Sequence, residues 1–423
     1  MSNTEISISN KINHLFRHEY GKLVSVLTKT FGASNMELAE DVVQDAMLDA
    51  LNQWEYKGIP NNPVGWIYQA AKNKAINIVN REKYKRQYVS ETARHLQSEW
   101  TLQPALNHIF TDKEIADDQL RMIFTCCHPT ISQDSQVALA LKTLCGFSIP
   151  EIANAFLTSE ENIHKRLVRA RKSIKEAKVP FEVPSGKGLE QRMSSVLEAI
   201  YLLFNEGYNA SSGEELIRFE LCEEAIRLAE IIAQNTNIVN KSNVYALLAL
   251  MTLNASRFKA RTDTNNTIVS LKYQDRQHWD KTLIHKGLTY LELSTQQNNV
   301  GHYHILATIS AHHCTAKNFE VTDWKSILDL YDYLIAIDNS SIVHLNRIIA
   351  ISEVYGAKVA LKALDAIKDT TVLSTYLPYY TTKAELHFKN NEKNKARKLL
   401  NQALDLPLKG NSNLLINSIL KKY

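Results

Sequence analysis

Ser148-Ile-Pro-Glu151 and Thr158-Ser-Glu-Glu161 are two capping boxes ten residues apart, and they open the stretch from Ser148 to Lys178 on which the reading of the chain turns. In each, the hydroxyl can accept from the amide three residues on while the Glu reaches back to the cap amide. The spacing predicts a short helix from about Ile149 to Phe156 and a second that begins near Ser159. Along the second, Ile163, Leu167, Ala170, Ile174 and Ala177 recur at spacings of four and three, which makes one buried stripe. From Lys165 to Lys178 the other faces carry seven cations (Lys165, Arg166, Arg169, Arg171, Lys172, Lys175, Lys178) against one anion, Glu176. A short helix, a tight turn and a cationic helix form the geometry that places the second helix in a DNA major groove. The plainer reading is a helical hairpin with a solvated outer face, and the lopsided charge argues against it.

Composition frames this hairpin. A chain of 423 residues has room for two to four domains. Gly (13) and Pro (9) fall well under their usual shares of about 7% and 5%. So few helix breakers predict an all-α protein. The net charge of +4 says little, whereas its distribution says more. Six acids and no base lie between Glu37 and Glu55, while Lys57 to Arg86 holds seven Lys or Arg and one acid, Glu82. Such segregation marks surfaces with different clients. The chain opens without a basic n-region or a long apolar run, and Val244–Met251 is too short to span a bilayer. Five irregularly spaced cysteines (126, 127, 145, 222, 314) fit reduced thiols in a cytoplasmic protein better than a disulfide framework. The triplets at Asn209 and Asn254 then read as chance matches to a glycosylation signal.

Helices are expected at Ile12–Phe31, Glu37–Trp54 and Pro63–Tyr84, the last two split by the turn-rich Tyr56-Lys-Gly-Ile-Pro-Asn-Asn-Pro63. A polar linker follows at 88–113. Helices resume at Asp117–Cys127 and at Asp134–Cys145, which Gly146 should cap. Two Pro and two Gly in Val179–Gly188 mark a second linker, 179–188. Beyond it some 235 residues read as helical hairpins: Glu190–Asn205, Glu214–Ala233, Asn243–Phe258, Trp279–Ser294, His302–Ala316, Trp324–Ile337, Ile342–Tyr355, Lys358–Ile367, Leu373–Lys389 and Lys393–Leu406. Tyr380, Ala384 and His387, then Ala396, Leu400 and Ala403, carry a tetratricopeptide-like spacing that lets two helices pack closely.

Two further surfaces precede the hairpin. Glu37, Asp41, Asp45 and Asp49 recur every four residues as an acidic ridge, with Val43, Met47, Ala50 and Trp54 towards the core. Trp66, Ile67 and Tyr68 then lead into Lys72, Asn73, Lys74, Asn77 and Arg81. Cations interleaved with aromatics and amides suit single-stranded nucleic acid, which offers phosphates to neutralise and unstacked bases to stack. Trp66 reads equally well as a core anchor.

An acidic helix, an aromatic-basic helix and a helix-turn-helix now stand in one order. In that order the chain resembles the bacterial sigma-70 family of RNA polymerase initiation factors, in its extracytoplasmic-function class. Leu38-Ala-Glu-Asp-Val-Val-Gln-Asp-Ala46 is similar to region 2.2 of that family, and Asn62-Pro-Val-Gly-Trp-Ile-Tyr-Gln-Ala-Ala-Lys-Asn73 through Arg81 to regions 2.3 and 2.4. Phe147-Ser-Ile-Pro-Glu-Ile-Ala through Val168-Arg-Ala-Arg171 is similar to region 4.2. The tail from Phe204-Asn-Glu-Gly-Tyr-Asn-Ala-Ser211 onwards, with Leu221–Ala229, Tyr273–Trp279 and His344–Arg347, resembles a subgroup with a long tetratricopeptide-like extension.

The resemblance implies domains at 10–87 (region 2), 114–178 (region 4) and 189–423 (the helical extension). It implies that Asp41, Gln44 and Asp45 dock on the beta-prime subunit of core polymerase. Asn61, Asn62, Trp66, Tyr68, Lys72, Asn73, Lys74, Asn77 and Arg81 would capture the minus-ten element. Ser159, Glu160, Asn162, His164, Lys165, Arg166 and Arg169 would meet the minus-thirty-five element. Many relatives carry Asp where Asn77 stands, so the resemblance implies different base contacts there. No bond is made or broken by the chain on this reading, and no cofactor, metal or membrane is implied. The extension would receive a regulatory protein or ligand. The rival reading is a helix-turn-helix regulator with a helical sensor tail that acts without core polymerase. Cys126, Cys127 and His128, like His312, His313 and Cys314, are adjacent residues on one helix and point in different directions, which suits core packing better than a metal. No spacing gathers Glu206, Glu220, Glu223, Asp275 and His278 into a catalytic cluster.

Overall fold

The computed structural model describes residues 3–87, 112–208, 217–406 and 416–420, apart from 157, 237, 264–267, 297–299, 368–372 and 418. Among the described residues the regular elements are all helical, with one isolated antiparallel bridge between Thr262 and Ile268. The all-α expectation therefore holds. The expected linker at 88–113 lies outside the described residues except for its last two, which open a helix.

The chain divides into two compact units, Met1–Leu203 and Phe204–Tyr423. The first holds α1 (Asn3–Phe31), α2 (Met36–Lys57), α3 (Pro63–Gln87), α4 (Asp112–Cys126), α5 (Gln133–Cys145), α6 (Ile149–Ala155) and α7 (Glu160–Glu176). Helix α8 (Lys187–Tyr208) carries the chain into the second. In the first unit α1 is the central element. Its buried Leu23, Val24, Val26 and Leu27 recur at helical spacing, and it packs on α2 and α3 as well as on α4 and α5. Burying each such leucine is worth about 1.5–3 kcal/mol. The crossing with α5 depends on Gly21: a Cβ there would lie 1.8 Å from the carbonyl oxygen of Leu144. Gly146 ends α5 in the left-handed conformation with φ 64°, as a glycine cap should.

The second unit comprises α9 (Phe219–Gln234), α10 (Ser242–Ala255), α11 (Lys281–Ser294), α12 (His302–Thr315), α13 (Trp324–Ile337), α14 (Ser341–Tyr355), α15 (Ala357–Asp365), α16 (Leu377–Lys389) and α17 (Lys393–Leu404). Successive helices pack on one another. On α16 and α17, Ala384, Ala396, Leu400 and Ala403 are fully buried against one another, the close approach that their spacing predicts.

Local chemistry corrects several expected boundaries. Leu373–Lys389 is not one helix: Leu373–Thr375 forms a 3-10 turn, and α16 starts afresh with Pro378 in its first turn. Proline fits there because the first amides of a helix need no intrahelical partner. Helix α11 starts at Lys281, not at Trp279, because Asp280 caps it by accepting from the Leu283 amide at 3.0 Å. Helix α10 stops at Ala255, and Phe258–Ala260 forms a separate 3-10 turn.

Candidate nucleic-acid and polymerase interface

The helix-turn-helix forms largely as its caps dictate. The Ser148 amide donates to Glu151 Oε2 at 2.8 Å and the Glu151 amide donates to Ser148 Oγ at 3.4 Å, so the first capping box closes. Arg17 of α1 also donates to Glu151, at 2.7 Å, which ties α6 to the first helix. Burial would raise the Glu151 pKa, but the bonds from Ser148 and Arg17 outweigh it and hold it below the usual carboxylate range. The second box does not close as expected. Ser159, not Thr158, is the N-cap and accepts from the Asn162 amide at 3.3 Å, while Thr158 Oγ1 accepts from the Asn162 side chain at 2.8 Å. The box is displaced by one residue because Ser159 is the position with extended backbone before α7. Ile163, Leu167, Ala170 and Ile174 are buried as the stripe requires. Ala177 is not: it is the C-cap and lies exposed, one turn beyond the packed face.

On α7 the expected promoter-facing residues Ser159, Glu160, Asn162, His164, Lys165 and Arg169 are exposed. Lys165 pairs with Glu161 at 2.6 Å on the same face. Arg166 is half-buried, 3.2 Å from Asp134 and with its guanidinium 5.6 Å from the Phe156 ring centroid. Arg171 turns inward from the solvent face and donates to Glu40 of α2 at 2.5 Å. Glu40 is 3% exposed. Burial pushes the pKa of its carboxyl up, against the opposing pull of Arg171 and Lys142. Beside this pair, Val168, Lys172 and Lys175 of α7 face Ala33, Met36 and Glu37 across a cavity of about 340 Å³.

Two acids of α2 pair within the unit, Asp49 of the ridge and Glu40 beside it. Asp41, Gln44 and Asp45 are exposed on one face. Asp49 is engaged by Lys74 of α3 at 2.8 Å. Glu40, adjacent to the ridge in sequence, points inward to Arg171. On α3, Ile67, Ala71 and Ala75 bury one face, while Asn73, Asn77 and Arg81, with Asn61 and Asn62 just before the helix, stand exposed. Asn62 caps α3 by accepting from the Gly65 amide at 2.9 Å. Asn73 accepts from Gln69 at 2.8 Å. Trp66 is partly buried, edge-on to Trp54 at 5.7 Å. The Tyr68 hydroxyl donates to Glu19 at 2.8 Å, and Lys72 is buried at 8% exposure. So of the expected minus-ten set, the amides and Arg81 face outward while Trp66, Tyr68 and Lys72 are drawn partly or wholly into the packing of α1, α2 and α3.

Two stretches of the chain match family descriptions that bear on this surface: residues 15–84 match Sigma-70 region 2, and residues 121–174 match Sigma-70, region 4. The chain belongs to the sigma-70 family. This sigma factor also matches, over residues 192–295, a family of unknown function (DUF6596), which forms part of its C-terminal extension. It is 34% identical over 363 residues to an uncharacterized protein of Rhizobium meliloti (strain 1021), covering 85% of this chain and 84% of the relative. No solved structure matches the chain. Membership makes the protein a DNA-binding initiation factor and implies core RNA polymerase and promoter DNA as its partners. Among the described residues no helix is long and apolar enough to cross a membrane.

Sequence reasoning missed two features of the sigma factor's surfaces. Leu48 and Leu51 are 55% and 42% exposed on α2, following Gln44 and Asp45 at helical spacing. Periodicity alone sends leucines inward, and only their displacement from the Val43–Met47–Ala50 stripe could have marked them. The Glu40–Arg171 bridge joins residues 131 apart and has no local signal. The adjacent cysteines behave as core residues: Cys126 Sγ lies 3.2 Å from Thr143 Oγ1, and burial pushes its thiol up to about 12. Among the described residues no three His, Cys, Asp or Glu gather as metal ligands.

Proposed function

We propose that this sigma factor is a cytoplasmic member of the extracytoplasmic-function class, with region 2 in residues 10–87, region 4 in 114–178 and a tetratricopeptide-like regulatory domain in 189–423. The segments 88–113 and 179–188 act as linkers. Asp41, Gln44 and Asp45 dock on the beta-prime subunit, with Leu48 and Leu51 adding apolar contact at the edge of the acidic patch. Asn61, Asn62, Asn73, Asn77 and Arg81 meet the melted minus-ten strand, and Trp66 offers its outer edge to a flipped base. Tyr68, Lys72 and Lys74 hold that helix in place and complete its positive field. Ser159, Glu160, Asn162, His164, Lys165, Arg166 and Arg169 read the minus-thirty-five element.

The observation that carries this reading is the separation of the two charges on one unit. The exposed carboxylates of α2 suit a basic protein surface, and the exposed cations of α7 suit phosphates. Phosphate contacts position the factor, and base edges and unstacked bases select the promoter. Each stacked base contributes about 1–3 kcal/mol to strand opening. The polymerase holds the chemistry, and the sigma factor supplies the address. The C-terminal domain governs when that address is read.

The test is charge reversal at Asp41→Lys and Asp45→Lys, both exposed, so the fold should survive. Loss of co-purification with core polymerase, at an unchanged circular dichroism spectrum, is the expected result. Undiminished co-purification would remove the docking surface from the proposal. Transcription with purified core on a genomic library, with start sites mapped, then gives the promoter sequence.

A further inference from the structure

The second unit holds a half-open cavity of about 270 Å³ between α12, α13, α14 and α16, bordered on one side by the short turn at Leu271–Tyr273. Its walls are of three kinds. Phe319, Trp324, Ile327 and Tyr331 make an aromatic and apolar side, with the Phe319 and Trp324 ring centroids 4.9 Å apart and their planes tilted by 58°. Opposite charges line another part: Glu353 pairs with Lys389 at 2.5 Å, Glu385 lies 3.8 Å from the same ammonium, and Lys272 sits over the Phe319 ring. The third part is polar and unsatisfied. His313 and Ser352 are only 9% and 7% exposed, yet His313 Nδ1 and Ser352 Oγ have no hydrogen-bond partner among the described residues.

Two buried polar atoms on residues that line one cavity are costly to leave without partners, because each forfeits its bonds to water. The site is also fixed in place. Arg276 donates at 2.6 Å to the carbonyls of both His313 and Ala316, and Trp324 Nε1 donates to the Phe319 carbonyl at 3.2 Å. The His313 ring packs edge-on to Trp324 at 5.2 Å. Burial and the neighbouring Arg257 and Arg276 bring its pKa down to about 3, so it is a neutral ring with one donor and one acceptor. A concave site with an aromatic wall and a few convergent polar groups is the usual form of a small-molecule pocket.

We propose that this cavity binds a small zwitterion with a flat apolar body, the chemistry of an aromatic α-amino acid. The body lies against Trp324, Tyr331 and Phe319. The ammonium faces Glu385 and Glu353, and the carboxylate faces Lys389 and Lys272. Ser352 and His313 bond the polar head from within. Binding stands on the cavity alone, whereas an effect of the ligand on transcription rests on the regulatory reading of this domain.

The full-length chain is titrated calorimetrically with L-tryptophan and L-phenylalanine, and in parallel with tryptamine, indole-3-propionate and glycine. Saturable binding of one molecule per chain is expected for at least one of the two amino acids. Removing either charge should weaken it by at least about tenfold, and glycine should give no heat. Ser352→Ala and Glu385→Gln should each weaken binding by about tenfold or more while melting like the parent chain. The absence of binding by both amino acids at millimolar concentration would overturn the proposal. So would equal affinity for the singly charged analogues, or unweakened binding in both variants. Promoter-dependent transcription with and without the bound amino acid is a separate readout. Binding with no change in transcription supports the site and counts against the domain's regulatory role.

Discussion

Arg171 of α7 reaches back 2.5 Å to Glu40 of α2, so the helix that carries the exposed cations is anchored, through a cation turned inward, to the helix that carries the exposed acids. Both side chains are largely buried, at 18% and 4% exposure. Removing one member of such a pair leaves the other charge desolvated and alone, at a cost of about 3–5 kcal/mol where burial is complete. Arg171 keeps some water, so Glu40→Gln should lower unfolding free energy by about 2 kcal/mol, read from urea denaturation. The double variant Glu40→Gln/Arg171→Gln should recover part of that loss. Equal stabilities in a full cycle would show that the pair carries no coupling.

Glu19 gives the first unit an acid dependence. Its burial works against the charged form, but bonds from His18, Lys22 and Tyr68 prevail and bring its pKa from 4.5 to about 2. A carboxyl with a depressed folded-state pKa stabilises the fold above its unfolded value and loses that contribution as protons return. The contribution, about 3 kcal/mol at neutral pH, should disappear as pH falls from about 4.5 through 2. Glu19→Gln should therefore flatten the stability profile in that window. A profile with the parent's slope there would exclude Glu19 as its source.

The α1–α5 crossing should tolerate no side chain at position 21. A methyl at Gly21 would meet the Leu144 carbonyl oxygen at 1.8 Å, a backbone atom that cannot swing aside. Overpacking of this kind costs about 1–3 kcal/mol or more. Gly21→Ala is expected at the upper end, as a lower urea midpoint with a retained helical spectrum or as loss of the fold. A midpoint matching the parent chain would mean that the helices part freely.

Arg169 is exposed on α7 and, under the proposed function, contacts phosphate. Arg169→Ala should weaken promoter binding about equally across sequences and reduce the slope of log affinity against log salt by about 0.9. A change confined to one base position, with the slope intact, would instead assign Arg169 to base readout.

How far the sequence could be read depended on the range of the interaction. Elements set by neighbours three or four residues apart were legible: the Ser148 cap, the Gly146 terminus and the Ile163–Ile174 stripe all stand where local chemistry puts them. Pro378 was visible too, yet the expected helix ran through it, because apolar periodicity on either side masked a break that proline chemistry requires. The site was legible to the extent that it is made of exposed polar residues. Glu40, Lys72 and Tyr68 are polar residues that tertiary packing takes inward, and nothing within a few residues of them announces it. The cavity of the second unit gathers side chains from several helices, so no linear pattern could have shown it.

One consequence of α1 packing on both α2–α3 and α4–α5 is a matter of length. The first unit runs from Met1 to Leu203. A compact body of that size has a radius of gyration of about 17 Å and measures roughly 45 Å across. Promoter elements named for positions ten and thirty-five lie about 25 base pairs apart, or about 85 Å of duplex at 3.4 Å per step. On the proposed function both readers lie in this single body of half that span, so they cannot touch both sites at once. On that reading the contacts of α1 with α4 and α5, and the Glu40–Arg171 bridge, must be surrendered before the second element is reached. On the proposed function, polymerase supplies that work by spreading the two readers along its own surface. Folded alone, the factor is shorter than the text it reads.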